Sequence, residues 1–398
     1  MPPISVKLDD YRAVAPRGAV DFLVRMGERL RGRRFVHVSA TRYGAGIVET
    51  LNRLVPILND LGIETAWDIV IGGAEFDASV SALGKALGGI EQVLPPERLE
   101  RVRAVSTANV PRLALDADLV VAHGVAPLLL VDARPSSGRW VWAHHADLSS
   151  PQPGIWPALR PSVQRYDAVV LSLAKFAPPL PVPRFLIQPS IDPLSDRNRD
   201  MSRAEQAALL DRLRVPRDKP ILLHVGPFDR RRDPLGAINV FRLVRKHHDA
   251  RLVVAGTSPS EPDVLAEARE AAAGEPDVLV LDLPPDPELE INALERAATV
   301  VIQKPLHADF GLDVATAMWK AKPVVGSLAG GIPFQIVPHA TGYTVDSVEG
   351  AAFRIRHLLS NPELIGRMGA AGREHVRRNF LITRHLGDYL ALLAHLTS

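Results

Sequence analysis

Three consecutive arginines, Arg230-Arg231-Arg232, follow Phe228-Asp229 just beyond the apolar run Ile221 to Gly226. Further along, a polar turn carries Phe310-Gly311-Leu312 between Asp309 and Asp313 and opens an apolar stretch with Val314, Ala317 and Met318 at helical spacing. Both features suit the same chemistry. A guanidinium is a planar, permanently charged fork that matches phosphate oxygens, and the free N–H groups and positive dipole end of a helix start attract the same kind of anion. The expectation is a phosphate-like anion held by Arg232, with Arg230 and Arg231 beside it, and by the amides of Gly311 and Leu312. A run of arginines is also ordinary solvated surface, and aspartate is the usual residue at a helix N-terminus, so both features keep a bland alternative.

His144-His145 with Asp147 forms a third constellation. Its spacing fits no common zinc motif and no third ligand set accompanies it, so no metal is expected. Asp147 suits a turn cap for Leu148-Ser149-Ser150. A glycine turn, Tyr43-Gly44-Ala45-Gly46, precedes an amphipathic stretch from Ile47 to Leu61, and its backbone can approach a ligand closely. Glu49 lies in the first turn of that stretch, where a carboxylate favours the helix dipole or binds acceptor hydroxyls.

These groups need a frame. A chain of 398 residues is too long for one ordinary core and suits two domains. Phe35 to Ser39, Thr65 to Ile71, Leu119 to Ala122, Trp140 to Ala143, Ala168 to Leu171 and Phe185 to Ile187 read as strands. A second series runs through Ile221 to Gly226, Arg251 to Gly256, Val278 to Leu281, Thr299 to Ile302 and Pro323 to Gly326. Helical stretches separate them, which indicates an α/β fold of parallel, doubly wound sheets with ligands outside the carboxyl ends of the strands. The expected division is an acceptor-side domain over residues 1–190 and a second domain over 191–377, with the last helix, about 378–398, packing back on the first. The proline-bearing segment Pro189 to Asp200 is the candidate hinge.

The 47 basic and 45 acidic side chains leave a net charge of +2, which gives no support for a nucleic-acid or membrane-surface partner. The absence of cysteine excludes disulfides and thiolate nucleophiles and agrees with a reducing cytoplasm. The N-terminus shows no secretory signal pattern. The apolar stretch Leu119 to Val131 is broken by His123, Gly124 and Pro127 and is too short to span a bilayer. A cytoplasmic protein is expected, and a homodimer is compatible with these features.

Four segments carry a closer likeness. Tyr43 to Glu49, His145 to Pro151, Pro189 to Ser195, and Ala317 to Lys320 continuing through Gly330-Gly331-Ile332-Pro333-Phe334-Gln335-Ile336-Val337 resemble the trehalose glycosyltransferring synthases. The resemblance runs from about residue 34 to the C-terminus. It implies a GT-B fold of two Rossmann-like domains facing a central cleft, and transfer of a sugar from a nucleotide-diphosphate sugar to a small-molecule acceptor. No cofactor other than the donor is implied. It implies His145 beside the donor sugar, Gly46, Phe310, Gly311, Leu312, Asp313 and Thr316 with the arginines on the donor, and Gly44, Ala45, Glu49 and Asp147 on the acceptor.

The chain departs from that family where chemistry is concentrated. The family's E-x7-E pair is Ala308 and Thr316 here, and the arginine before its Phe-Asp pair is Pro227. Arg232 stands where the family has a lysine. Asp309 and Asp313 are the carboxylates available to replace the lost pair from shifted positions, and Asp309 is taken as catalytic together with His145 and Arg232. A changed donor, or a more nucleophilic acceptor such as a thiol, needs less of the missing machinery. The alternatives are a catalytically silent homologue that binds sugar nucleotides as a regulatory subunit, and a sugar-phosphate phosphorylase.

Overall fold

Short apolar runs that end in polar or glycine turns become parallel strands with both faces covered. The computed structural model describes residues 6–42, 46–180, 182–257 and 262–398, and the chain divides into two units, Met1–Ser190 with Ile382–Ser398, and Ile191–Leu381. In the first unit, β1 (Arg34–Ser39), β2 (Glu64–Ile69), β3 (Leu119–His123), β4 (Arg139–His144), β5 (Ala168–Leu171) and β6 (Arg184–Leu186) form one sheet in the order β2-β1-β3-β4-β5-β6. Every pairing is parallel. All of β3 and β5 is buried, as expected for central strands between helical layers. The helix Ile47–Asp60 turns Val48, Leu51, Leu54, Ile57 and Leu58 inward at helical spacing.

The closing helix, Ile382–Thr397, belongs to this first unit. Arg384 donates to the main-chain oxygens of Gln188 and Pro189 (2.7 and 3.1 Å), which fixes where the chain returns. The expected start near residue 378 moves to 382, because Phe380 and Leu381 pack in the second unit, where Ile191 donates to the Phe380 carbonyl and bridges to Leu381.

The second unit contains β7 (Ile221–Val225), β8 (Arg251–Gly256), β9 (Val278–Asp282), β10 (Val300–Gln303), β11 (Val324–Gly326) and β12 (Gly342–Thr344), in the order β12-β11-β10-β7-β8-β9. Strand β12, three residues headed by a glycine, carries no run long enough to read from sequence. Both orders are doubly wound, and each has a point where successive connections diverge to opposite sides: between β1 and β3 in the first sheet, and between β7 and β10 in the second. Ligands of such sheets bind at the carboxyl ends of the strands flanking that point.

The unit boundary, between Ser190 and Ile191, falls inside the candidate hinge segment Pro189 to Asp200. Beyond Ile191, the segment to Asp200 is anchored in the second unit. Its carbonyls at Asp196 and Arg199 accept from Asn292 (2.8 and 3.0 Å), Arg199 also accepts from Arg296 (2.8 Å), and Trp319 donates to the Asn198 carbonyl (3.1 Å). Polar residues that resembled a linker are there to meet buried hydrogen-bonding groups.

Behind that segment lies a fully buried ion pair, Lys320 Nζ to Glu295 Oε2 at 2.7 Å with both side chains 0% exposed. Lys320 also donates to Asn198 Oδ1 (2.7 Å), and the Thr316 hydroxyl donates to Glu295 Oε1 (2.7 Å). Burial lowers the Lys320 pKa to about 8, with Glu295 opposing the fall. Glu295→Gln keeps the shape and removes the partner charge. It is expected to destabilise the second unit by about 3–5 kcal/mol in denaturant unfolding; an unchanged midpoint would show that Lys320 is buried neutral.

The first unit buries histidines instead. His37 and His144 are lowered to about 3 and His145 to about 4, while His123 and His385 lie well below their ordinary value, in every case mainly through burial. Above the ordinary value of 6.5 folded and unfolded chains are both neutral there and the groups contribute nothing to pH dependence. As pH falls below it, the unfolded chain takes up protons that the folded unit refuses, so stability drops by up to about 1.4 kcal/mol per pH unit for each imidazole. Both His144 ring nitrogens are buried without a partner. His144→Phe should therefore flatten the decline between pH 6.5 and 4 by about that slope, measured by urea unfolding at stepped pH. An unaltered slope would overturn the assignment.

Candidate functional site

At the divergence of the second sheet, β7 and β10 release two loops that are tied to each other. Gln303 donates from its buried amide to the Val225 carbonyl (2.9 Å), joining the two strand ends. Beyond them, the Leu306 N–H donates to the Arg231 carbonyl (2.7 Å), and Lys304 Nζ pairs with Asp233 (3.0 Å). Arg232 Nη1 reaches Asp313 Oδ2 at 3.2 Å, and Arg197 Nη2 reaches Asp313 Oδ1 at 3.1 Å. One carboxylate thus holds two guanidinium groups, and Arg232 is brought against the turn that ends in Leu312.

The three arginines separate for a geometric reason. Arg230–Arg232 is a single 3-10 turn capped by Asp229, and with about 3 residues per turn its successive side chains point in three directions. Arg232 turns to Asp313. Arg230 turns the other way and makes a two-pronged pair with Glu267 at 3.0 and 2.6 Å, largely exposed. Arg231 is exposed and joins the site framework through its carbonyl.

The Phe310-Gly311-Leu312 turn is set by a residue that sequence reasoning gave no role. Gln335, 0% exposed, donates from Nε2 to the carbonyls of Phe310 (2.6 Å) and Gly311 (3.0 Å). In a trans peptide the N–H points opposite to the C=O. The Gly311 and Leu312 amides therefore face away from Gln335, and neither donates to a main-chain carbonyl among the described residues. Gly311 takes φ +76°, a conformation that suits glycine. The glycine pair behind it has a packing role: a Cβ on Gly330 would lie 2.0 and 2.1 Å from the carbonyl oxygens of Ala308 and Asp309.

Three further expectations change. The Phe310 side chain is buried against Phe334 and Phe380, so this residue offers the site only its main chain. Thr316 is 5% exposed and its hydroxyl is committed to Glu295, which removes it from donor binding. Asp313 holds arginines and is not a free ligand group, while Asp309 stays exposed with its carbonyl accepting from Gly331 (2.8 Å).

In the first unit, Gly46 takes φ 78° at the start of the helix Ile47–Asp60, and a Cβ there would meet nothing within 4 Å. Its backbone is open to close approach. Gly44 and Ala45 lie outside the described residues. Glu49 is exposed in the first helical turn. Asp147 Oδ1 accepts from the Ser149 N–H (2.8 Å), the turn-capping arrangement. His145 lies beyond the end of β4, with Nδ1 3.3 Å from Ser172 Oγ. Burial lowers its pKa to about 4, which favours a neutral ring and a hydrogen-bonding role. Among the described residues no group of three His, Cys, Asp or Glu side chains could hold a metal ion, and no helix is long and apolar enough to cross a membrane.

Comparison with known proteins agrees with this arrangement. Residues 37–178 match the family described as "Trehalose synthase, N-terminal domain", and residues 206–375 match "Glycosyl transferases group 1". The chain is 36% identical over 397 residues to a trehalose synthase of Pyrococcus horikoshii, covering 97% of this chain and 96% of that protein. It is 36% identical over 403 residues to a trehalose synthase of Rubrobacter xylanophilus, covering 98% and 97%. In fold it is similar to a structure described as trehalose-6-phosphate from E. coli bound with UDP-2-fluoro glucose (TM-score 0.71, 14% identity, 90% of this chain and 98% of that one). Anabaena Alr3699/HepE in complex with UDP-glucose gives a TM-score of 0.68 at 14% identity, covering 91% and 100%. Two parallel six-stranded sheets, each flanked by helices, and whole-length similarity to named synthases place the chain in the trehalose synthase family of GT-B glycosyltransferases.

Proposed function

We propose that the protein transfers a glycosyl unit from a nucleoside-diphosphate sugar to a small-molecule acceptor. The observation that carries this reading is the joint placement of Arg232 and the outward-facing Gly311 and Leu312 amides through Asp313, the residue next to Leu312. As the bond between the anomeric carbon and the diphosphate breaks, negative charge collects on the departing oxygens. Donors and cations already fixed in place stabilise that charge without reorganising. Asp313 is shared between Arg197 and Arg232, with Glu288 3.7 Å from Arg197, and it orients Arg232. The leaving-group charge is assigned to these groups, and the reading calls for no cofactor besides the donor.

The open backbone at Gly46 and the hydrogen-bonding ring of His145 are assigned to the donor, as the family likeness implies. The family's carboxylate pair is Ala308 and Thr316 here, the first buried and the second turned inward. An acceptor that is already a good nucleophile, such as a thiol ionised near neutral pH, needs less help than a sugar hydroxyl. A cysteine-free chain suits a reducing cytoplasm.

Calorimetric titration with UDP, ADP and GDP and with the matching nucleosides tests the site. Arg232→Ala is expected to weaken nucleoside-diphosphate binding by about 10- to 100-fold, the loss of a charge-assisted contact, and to leave nucleoside binding unchanged. Equal loss for both would overturn the role of Arg232. Nucleotide release from donor sugars over a panel of sugar and thiol acceptors tests transfer itself, and donor binding with no release from any pair would overturn it.

A further inference from the structure

A cavity of about 260 Å³ opens at the amino-terminal edge of β7, between the helix Arg203–Arg212, the turn that leads into Ile221 and the end of the helix Glu288–Ala297. It lies at the opposite end of that strand from the loop that carries Arg232. Its floor is apolar, with Leu210 and Ile221 almost fully buried and Ala297 beside them. Arg203, Arg217 and Lys219 stand around this floor, and no acidic side chain lines the cavity. Carboxylates outside it hold two of these cations: Arg217 Nη2 pairs with Asp211 at 2.8 Å, and Lys219 Nζ pairs with Asp249 at 2.8 Å and Asp277 at 3.0 Å. Arg203 is exposed and makes no ion pair among the described residues. It occupies the first position of its helix, where a positive side chain is disfavoured, so helix stability does not account for it.

We propose that this cavity binds a small phosphate monoester with a compact apolar body, at a site separate from the one assigned to the donor diphosphate. The chemistry follows from the lining. A guanidinium fork matches phosphate oxygens in two-pronged contacts, and Arg203 brings its whole donor set uncommitted. Arg217 gives donors to Asp211 and to the Ala207 carbonyl (3.4 Å), which fix its head and leave further N–H groups for a ligand. A dianion needs more than one such partner once it leaves water, and the two arginines supply it. Lys219, offset by two aspartates, adds shape more than charge. A bare phosphate would leave Leu210 and Ile221 facing water, whereas an apolar body covers them at a gain. Pockets for drug-sized ligands begin near about 300 Å³, so this one suits a single ring with its phosphate. The inference uses none of the residues assigned to glycosyl transfer and stands apart from that reading.

Titration of protein labelled at its isoleucine and leucine methyls with phenyl phosphate reads the cavity directly, with the Ile221 signal identified by its loss in Ile221→Val. Ring currents are expected to shift that methyl, and inorganic phosphate is expected to bind about tenfold more weakly for want of the apolar body. Arg203→Glu should weaken phenyl phosphate by about 10- to 100-fold, the loss of a charge-assisted contact. Arg232→Ala, at the other end of the strand, should leave the Ile221 titration unchanged. An Ile221 methyl that does not move at millimolar phenyl phosphate overturns the site, and that wild-type result stands whether or not the variants fold. Undiminished binding in Arg203→Glu overturns the role of the arginine, and equal affinity for inorganic phosphate overturns that of the floor. Benzoate binding as tightly as phenyl phosphate overturns phosphate as the recognised group. Loss of the Ile221 shift in Arg232→Ala traces the signal to the donor site and overturns a separate one.

Discussion

One carboxylate holds the charged part of the second unit in place. Asp313 receives Arg232 from the turn after β7 and Arg197 from the segment that enters the unit, and it stands at the first position of the helix Asp313–Trp319. A guanidinium on a long side chain loses much rotamer freedom when it is fixed, and a fixed partner already in the fold offsets part of that loss before any ligand arrives. The arrangement works because β7 and β10 are adjacent although far apart in sequence. Sheet order thus decides which loops meet, and the ion pair decides which arginine of three faces the turn.

The departures from the family pattern look different once the side chains are placed. Thr316 faces inward, and the carboxylate nearest to it is Glu295, contributed by the helix Glu288–Ala297 and paired with Lys320. A carboxylate at 316 would stand one turn before Lys320 on the same helical face, so Glu295 supplies from a neighbouring helix the negative charge that a buried lysine requires. The replacement is compensated as a matter of stability. It is not compensated at the ligand surface, because Glu295 is fully buried.

How much of this was legible in the sequence follows from how local each signal is. Strands such as β3, β5 and β10 read clearly because every residue is apolar or nearly so and buried, and the loops that follow them were placed correctly at strand ends. Arg230, Arg231 and Arg232 could not be ranked by residue type, since only the 3-10 turn sends them apart. Gln335 and Ser172 carry no local signal at all. Each acts on a partner 24 or more residues away, and a lone glutamine after a glycine pair, or a lone serine after a strand, has many ordinary uses. The candidate hinge Pro189 to Asp200 contains the unit boundary, but its polar part from Asp192 onward is packed, because Asn292, Arg296 and Trp319 meet its carbonyls.

Gln335 and Ser172 are both buried polar side chains that meet main-chain oxygens. The first is an amide that fixes two peptide planes and so aims N–H donors outward; the second is a hydroxyl that meets the His145 ring and main-chain oxygen. Neither clamp titrates in the physiological range, and burial keeps His145 neutral well below pH 7. A diphosphate needs donors and positive charge, and in the second unit the sense of the Gly311 and Leu312 amides is set by the fold. Permanent charge enters through Arg232, whose guanidinium does not lose its proton. Arg232 therefore keeps its charge across neutral pH, and pH acts on this protein first through the stability of the histidine-rich first unit.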